Sequence, residues 1–520
     1  MLDPRNEPKT FRNTAVVAFA GGVSRVTGFI RDIMLAALLG AGPAADAFVI
    51  AFRIPYLARK TLAEGALHGA LVPVGIDLKT REGDLAARRF AGESLASMAL
   101  VLLILSALVT IFAPALIFAM APGFTPGGET AELATLCLRL SFPLVAGAVL
   151  GAMGAAFLAA EGRFGIASWS PVAVNAAMIA VLFYVSEWAT MAPSRAALWV
   201  AAASSLGGLI QMAIVGFALY RSHHAPLWAL PRFGPGVKRF FSLAGPGIII
   251  AASSQLILIV ALQFASGLPG AVPQLHYADR VAQLPLGFVA ASVAIVAMPN
   301  LAALAKAGQS LHEEIERGLH WSLLLACPAA IGLAVLARPI VDILFKHGAF
   351  TVADADATIA ALTGLAIFLP FAAMARVLSQ PFFAQERTAP ALLAVLAAAS
   401  VTAGAAFVLR ADYGVAGLAV AAGLGMLAQA LVLGVALVRA GWWRPNNISL
   451  LRLLRGLIAA AVMGLLLWAA LRWASPFFAT GVALFRRGVA LILFVLAGVG
   501  LFLILALLTR AIRLSDLKRP

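Results

Sequence analysis

Only two cysteines occur in this sequence, Cys137 and Cys327, and both are set in apolar stretches. A disulfide framework and a thiolate metal site are thereby excluded, and both residues read as packing groups. Histidine is thin as well. The seven are scattered without ligand spacing, and no P-loop, nucleophile elbow or His-Glu metal motif occurs, so neither a metal nor another cofactor is expected and no enzyme chemistry is in view. Charge is the third shortage, at 12% of residues, about half the usual share of a soluble domain. What fills the chain instead is apolar. With 62% hydrophobic residues and a mean hydropathy of +0.97, the composition predicts an all-α integral membrane protein.

Fourteen apolar runs are long enough to cross about 30 Å of hydrocarbon, the first centred near residue 27 and the last near residue 497. The opening MLDPRNEPKTFRN is polar, and the run behind it is too long and too charged for a signal peptide. An even number of crossings puts both termini on one side, and the basic residues say which. Segments on the terminal side carry 23 Lys and Arg, among them Lys79, Arg81, Arg88, Arg89, Arg232, Lys238 and Arg239, against six in the alternate loops. That bias marks the terminal side as cytoplasmic. Topology thus explains much of the net charge of +15, and no nucleic-acid partner is needed.

The chain also echoes itself. ADAFVIAFRIP after the first segment resembles YADRVAQLP after the seventh, matching Asp46 with Asp279 and Pro55 with Pro285. LVPV around Pro73 pairs with AMPN around Pro299, and FLAAEGR with FFAQER, in the same order. Two six-helix halves in the same sense follow, 1–222 and 223–440, with two further helices in 441–520. Such parallel repeats are the plan of a rocking transporter.

Charges inside the apolar runs stand out against this background. Each Arg or Asp at mid-membrane costs about 2.5–3.5 kcal/mol. SRVTGFIRD places Arg25, Arg31 and Asp32 in the first segment; the second carries Asp46, Arg53, Arg59, Lys60 and Glu64; the eighth begins with Asp279 and Arg280. Gly21, Arg25, Gly28 and Asp32 recur at helical spacing on one face, as do Asp46, Arg53, Lys60 and Glu64, with Arg59 off that stripe. Structural alternatives exist for some of them. Arg31 can snorkel outward with Asp32 neutralising it, Asp46 can cap its helix, and Lys60 with Glu64 is an ordinary i, i+4 pair. Arg25, Arg59 and Arg280 lie deeper and read as functional, whereas Arg139 and Arg376 lack a polar stripe and Asp342 lies near a helix end, so these three read as structural.

Arginines lining a water-filled cavity select anions, since a guanidinium matches phosphate oxygens in a planar fork. At this point the sequence becomes recognisable. SRVTGFIRD, GAGPAADAFVIAFRIPYLARKTLAEGALHGALVPV, APGF, GRFGIASWSPVAVN, YADRVAQLPLGFV and LFKHGAFT resemble the MurJ (MviN) lipid II flippases. The resemblance implies a fourteen-helix member of the multidrug/oligosaccharidyl-lipid/polysaccharide exporter superfamily, with two lobes around a cationic cavity. It implies movement of the undecaprenyl-pyrophosphate-linked peptidoglycan precursor, lipid II, to the periplasmic leaflet of the bacterial inner membrane. Its essential arginines would fall on Arg25, Arg31, Arg59 and Arg280, and its aspartate on Asp46. The last two helices would form a groove for the prenyl tail among membrane lipids. Three positions depart from the family pattern: Tyr56 stands where Asn is common, His68 where small or amide residues are usual, and Ala261 replaces a polar residue. Rival readings are a flippase for another oligosaccharide lipid, a carboxylate-lined drug exporter, and a scaffold. In the absence of a nucleotide motif, the membrane potential is the expected driving force.

Overall fold

A computed structural model describes residues 7–63, 67–160, 162–189, 191–222, 225–253, 255–307, 309–385, 387–444, 447–479 and 481–512. Among these the secondary structure is helical, with no strand. Two compact units divide between Gln255 and Leu256.

The first unit holds α1 (Glu7–Leu39), α2 (Pro43–Thr61), α3 (Leu67–Glu82), α4 (Asp84–Ile111), α5 (Ala113–Met120), α6 (Glu129–Ser141), α7 (Pro143–Ala160), α8 (Phe164–Trp169), α9 (Val172–Trp188), α10 (Pro193–Tyr220) and α11 (Pro235–Ser253). The second holds α12 (Leu256–Ala265), α13 (Ala271–Lys306), α14 (His312–Leu344), α15 (Val352–Ala384), α16 (Ala389–Arg439), α17 (Asn447–Trp473) and α18 (Leu484–Leu508). Nine helical stretches among the described residues are long and apolar enough to span a bilayer by themselves. Other apolar segments are diluted by charge, as in α1. The chain is a multi-pass membrane protein.

Small residues bring the backbones of the first unit together, as in membrane bundles where no hydrophobic effect drives helix association. A Cβ on Gly147 of α7 would stand 2.3 Å from the carbonyl of Gly208 on α10, and one on Gly207 would stand 2.6 Å from the Cα of Val174 on α9. The α7, α10 and α9 backbones therefore meet along one glycine seam. Beyond residue 222 the chain stays with this unit. The connector into α11 lies along α4, where Arg88 Nε donates to the Ala225 carbonyl at 2.8 Å and the Leu227 N–H donates to the Arg88 carbonyl at 3.1 Å. At the polar end of α3, Arg239 of α11 donates to Asp77 at 2.8 Å and Arg81 pairs with it at 2.7 Å. The Arg239 hydrogen bond, with Arg81 behind it, holds the Asp77 carboxyl below its ordinary value.

In the second unit α16 is a hairpin rather than a single rod. Its turn comes at Gly414, with φ 51° and ψ −130°, a backbone state in which a side chain is disfavoured. Past that turn, Gly417 abuts the Leu409 carbonyl and Gly425 abuts Thr402, so the two arms pack antiparallel. One apolar core joins Ile315, Leu378, Phe382, Leu433 and Leu437 from α14, α15 and α16. A second joins Leu324 and Cys327 of α14 to Met463 and Leu467 of α17 and Phe502 of α18.

Gly147→Ala is expected to destabilise the protein by about 1–3 kcal/mol, the range for overpacking, because the intruding methyl meets backbone. Gly216→Ala, on α10 but facing open space, should be neutral or stabilising. Thermal unfolding of both variants in detergent checks the contrast.

Candidate functional site

The charged stripe of α1 divides in two. Arg31 and Asp32 are buried, at 7% and 2% exposure, so the arginine does not snorkel. Asp32 does neutralise it: Arg31 Nη2 donates to Asp32 Oδ1 at 2.7 Å and Nε donates to the same oxygen at 3.0 Å. The third direction of the guanidinium is taken by α9, where Nη1 donates to Asn175 Oδ1 at 3.0 Å. Asn175 turns its amide nitrogen back to α1, donating to the Ser24 carbonyl at 3.0 Å and to Thr27 Oγ1 at 3.3 Å. Gly28 faces this amide, and a Cβ there would lie 3.4 Å from Asn175 Nδ2, at ordinary contact distance. Phe52 of α2 closes the site, its ring centroid 5.6 Å from Arg31 Cζ. One turn earlier, Gly21 has no neighbour within 4 Å of a Cβ position and Arg25 is exposed. Arg25 has no side-chain partner among the described residues.

On α2 the cations gather around one ring. Arg53, Arg59 and Lys60 lie 5.5, 5.6 and 5.9 Å from the Tyr56 centroid, within cation–π range. Arg59, off the stripe by sequence spacing, thus joins Arg53 and Lys60 through Tyr56. Arg53 is buried and its Nη2 donates to Gln255 Oε1 at 3.2 Å. Pro55 lies inside the helix and removes one intrahelical donor. Asp46 is buried one turn from the start of α2, but it is not the cap. Gly42 is the N-cap, with no side-chain bond. Glu64 lies outside the described residues.

In the second unit Asp279 is buried on α13 and accepts a hydrogen bond from Gln283. Arg280 follows it, half-buried. Arg376 reaches across from α15, its Nη1 donating to the Leu286 carbonyl at 3.2 Å, and it attracts Asp279 electrostatically. Arg139 and Asp342 likewise have protein contacts, Arg139 with the Thr110 carbonyl and Asp342 with Lys346 and Arg487.

The model of the family described as lipid II flippase MurJ matches residues 35–487. The chain belongs to the MurJ family. It is 31% identical over 508 residues to a probable lipid II flippase MurJ of Rhizobium tropici, covering 95% of this chain and 93% of that protein. It is 29% identical over 473 residues to the lipid II flippase MurJ of Burkholderia cenocepacia, covering 89% and 90%. A solved structure of a lipid II flippase MurJ in an inward closed conformation shares the fold, with a TM-score of 0.77 at 21% identity over 97% of this chain and all of that one. A multidrug resistance MATE family transporter in an inward-facing conformation shares it more distantly, with a TM-score of 0.64 at 18% identity over 80% and 94%. Two contributors in this MurJ-family chain escaped sequence reasoning. Asn175 ends the block GRFGIASWSPVAVN, where a lone amide in an apolar helix was its one signal. Tyr56 showed itself only as a departure from the family pattern.

Removing Asp32 leaves Arg31 buried without its carboxylate, so Asp32→Ala should destabilise by about 3–5 kcal/mol. The double substitution Arg31→Leu, Asp32→Ala should cost less than Asp32→Ala alone, in denaturant unfolding in detergent. At Tyr56 the ring rather than the hydroxyl faces the cations, so Tyr56→Phe should support growth of a strain depleted of its own MurJ-family protein, and Tyr56→Leu, at equal membrane abundance, should not.

Proposed function

We propose that this protein flips lipid II from the cytoplasmic to the periplasmic leaflet of the bacterial inner membrane, with both termini in the cytoplasm. The observation that carries the reading is the gathering of Arg53, Arg59 and Lys60 around Tyr56 in a membrane protein of the MurJ family. Three cations that share one ring repel one another, and a pyrophosphate head relieves that repulsion while its oxygens accept from the guanidinium forks. Arg25, exposed on α1, supplies a further cation, and Arg280 beside Asp279 provides the corresponding group on α13. Arg31 has a different part. Held by Asp32 and Asn175, it fixes the shape of α1 against α9 and leaves anion binding to its neighbours.

The protein acts as a transporter without catalysing a covalent step, and its partners are lipid II and the surrounding membrane lipids, with no nucleic acid. A cationic site argues against a drug exporter, which needs carboxylates to hold protons, sodium or a cationic drug. A flippase for another pyrophosphate-linked oligosaccharide would use the same chemistry, and the family match favours lipid II.

Single Arg→Ala variants at Arg25, Arg59 and Arg280 are expected to fail in a depleted strain despite normal membrane abundance, and Arg→Lys variants to recover only in part, because charge is kept while the planar fork is lost. Lipid II should accumulate on the cytoplasmic side. Normal growth with stable Ala variants at all three positions would sink the cationic-site reading, and accumulation of a different lipid-linked precursor would sink the choice of substrate.

A further inference from the structure

Glu132 and Arg139 stand seven residues apart on α6, about two turns, and both line a groove of about 500 Å³ formed with α5 and the turn between the helices. The rest of its wall is mostly apolar, with Ile117, Phe118, Phe124 and Leu136 among its side chains and Thr135 the other polar one. Phe118 and Leu136 are exposed. Arg139 is exposed too. Its Nε donates to the Thr110 carbonyl in the last turn of α4, at 3.1 Å, and its Nη groups have no partner among the described residues. Glu132, also exposed, has no side-chain partner among them either. The two charges do not pair with each other, yet they face one apolar groove.

Structural roles account for part of this. Glu132 lies in the first turn of α6, where a carboxylate complements the helix dipole, and Arg139 ties α6 to the end of α4. Neither role answers the two formal charges. Helical side chains lean toward the N-terminus of their helix, so the Arg139 guanidinium reaches up toward the level of Glu132 and of the α4 terminus. Because α6 opens the apolar span Glu129–Ala160, Glu132 stands close to the end of that span and Arg139 about two turns further in. That order matches a lipid headgroup whose phosphate lies deep and whose amine lies shallow.

We propose that the groove is a phospholipid site selective for a zwitterionic headgroup with a primary ammonium. The phosphate accepts from the Arg139 Nη groups, the ammonium donates to Glu132, and an acyl chain follows Phe118 and Leu136. A choline headgroup has no N–H to donate, and a glycerol headgroup brings no cation to Glu132. The site is independent of the transport reading. Its opposite neighbour is α2, which packs against both α5 and α6, so a bound lipid braces the helix that carries the cation cluster.

The test is retention of phosphatidylethanolamine, phosphatidylglycerol and phosphatidylcholine, offered in equal amounts to the delipidated full-length protein and counted by native mass spectrometry. Phosphatidylethanolamine should exceed each of the others about fivefold, as expected for one exposed ion pair. Arg139→Gln should release all three lipids. Glu132→Gln, an exposed position whose variant keeps the test decisive should Arg139→Gln misfold, should retain lipid while its preference for phosphatidylethanolamine over phosphatidylglycerol falls to about one. Equal retention of the three by the unaltered protein, or a preference that survives Glu132→Gln, overturns the proposal.

Discussion

A guanidinium inside hydrocarbon must have its charge answered and its donors aimed, and the way Arg31 meets this demand orders much of the first unit. Its carboxylate comes from the next residue, but the amide oxygen has to come from α9, and α9 has to approach α1 closely enough to deliver Asn175. Gly28 lies on the face of α1 that Asn175 meets. Asn175 follows Val174, which is seated on Gly207 of α10, and the adjoining Gly208 is seated against α7. The position of one hydrogen-bond acceptor therefore depends on a succession of contacts in which side chains have been removed. An error anywhere along it leaves a buried cation short of a partner, at a cost of several kcal/mol.

The α2 cluster obeys a different rule. A cation over an aromatic ring is worth about 0.5–2 kcal/mol, less than the roughly 2.5–3.5 kcal/mol needed to bring one arginine to mid-membrane, and a single ring is shared by three. Where Arg31 is neutralised by the carboxylate beside it, Arg53, Arg59 and Lys60 gather their positive charge around one ring. On the proposed reading the two arginine environments divide the labour: one holds helices together, the other meets the anionic head of the substrate.

Much of this was legible in the sequence because charge in hydrocarbon is too costly to be incidental. That argument singles out Arg25, Arg31, Asp32, Asp46, Arg53 and Arg59 as candidates, and the apolar runs point to the class of fold. It could not find Asn175, whose amide carries no charge and breaks no periodicity. Nor could spacing place Arg59 beside Arg53, because a ring between two long side chains bridges an angle that a helical wheel keeps apart. Asp46 after GPAA looked like a cap, but the chain enters α2 at Gly42, a residue with no side chain to supply the bond. The hairpin within α16 hinges on a single positive φ at Gly414, which an alanine-rich and glycine-rich stretch does not advertise.

The glycine seam has a mechanical meaning beyond its part in the fold. Helices separated by leucines and valines rest on a layer that repacks as rotamers change, and that layer absorbs small displacements. Where α7, α10 and α9 meet backbone to backbone, no such layer exists. A push on one of these helices is passed to the next almost undiminished, as through a lever, while a leucine-padded contact behaves as a spring. Asn175 rides on that lever, so whatever shifts α10 also moves the acceptor on which Arg31 depends.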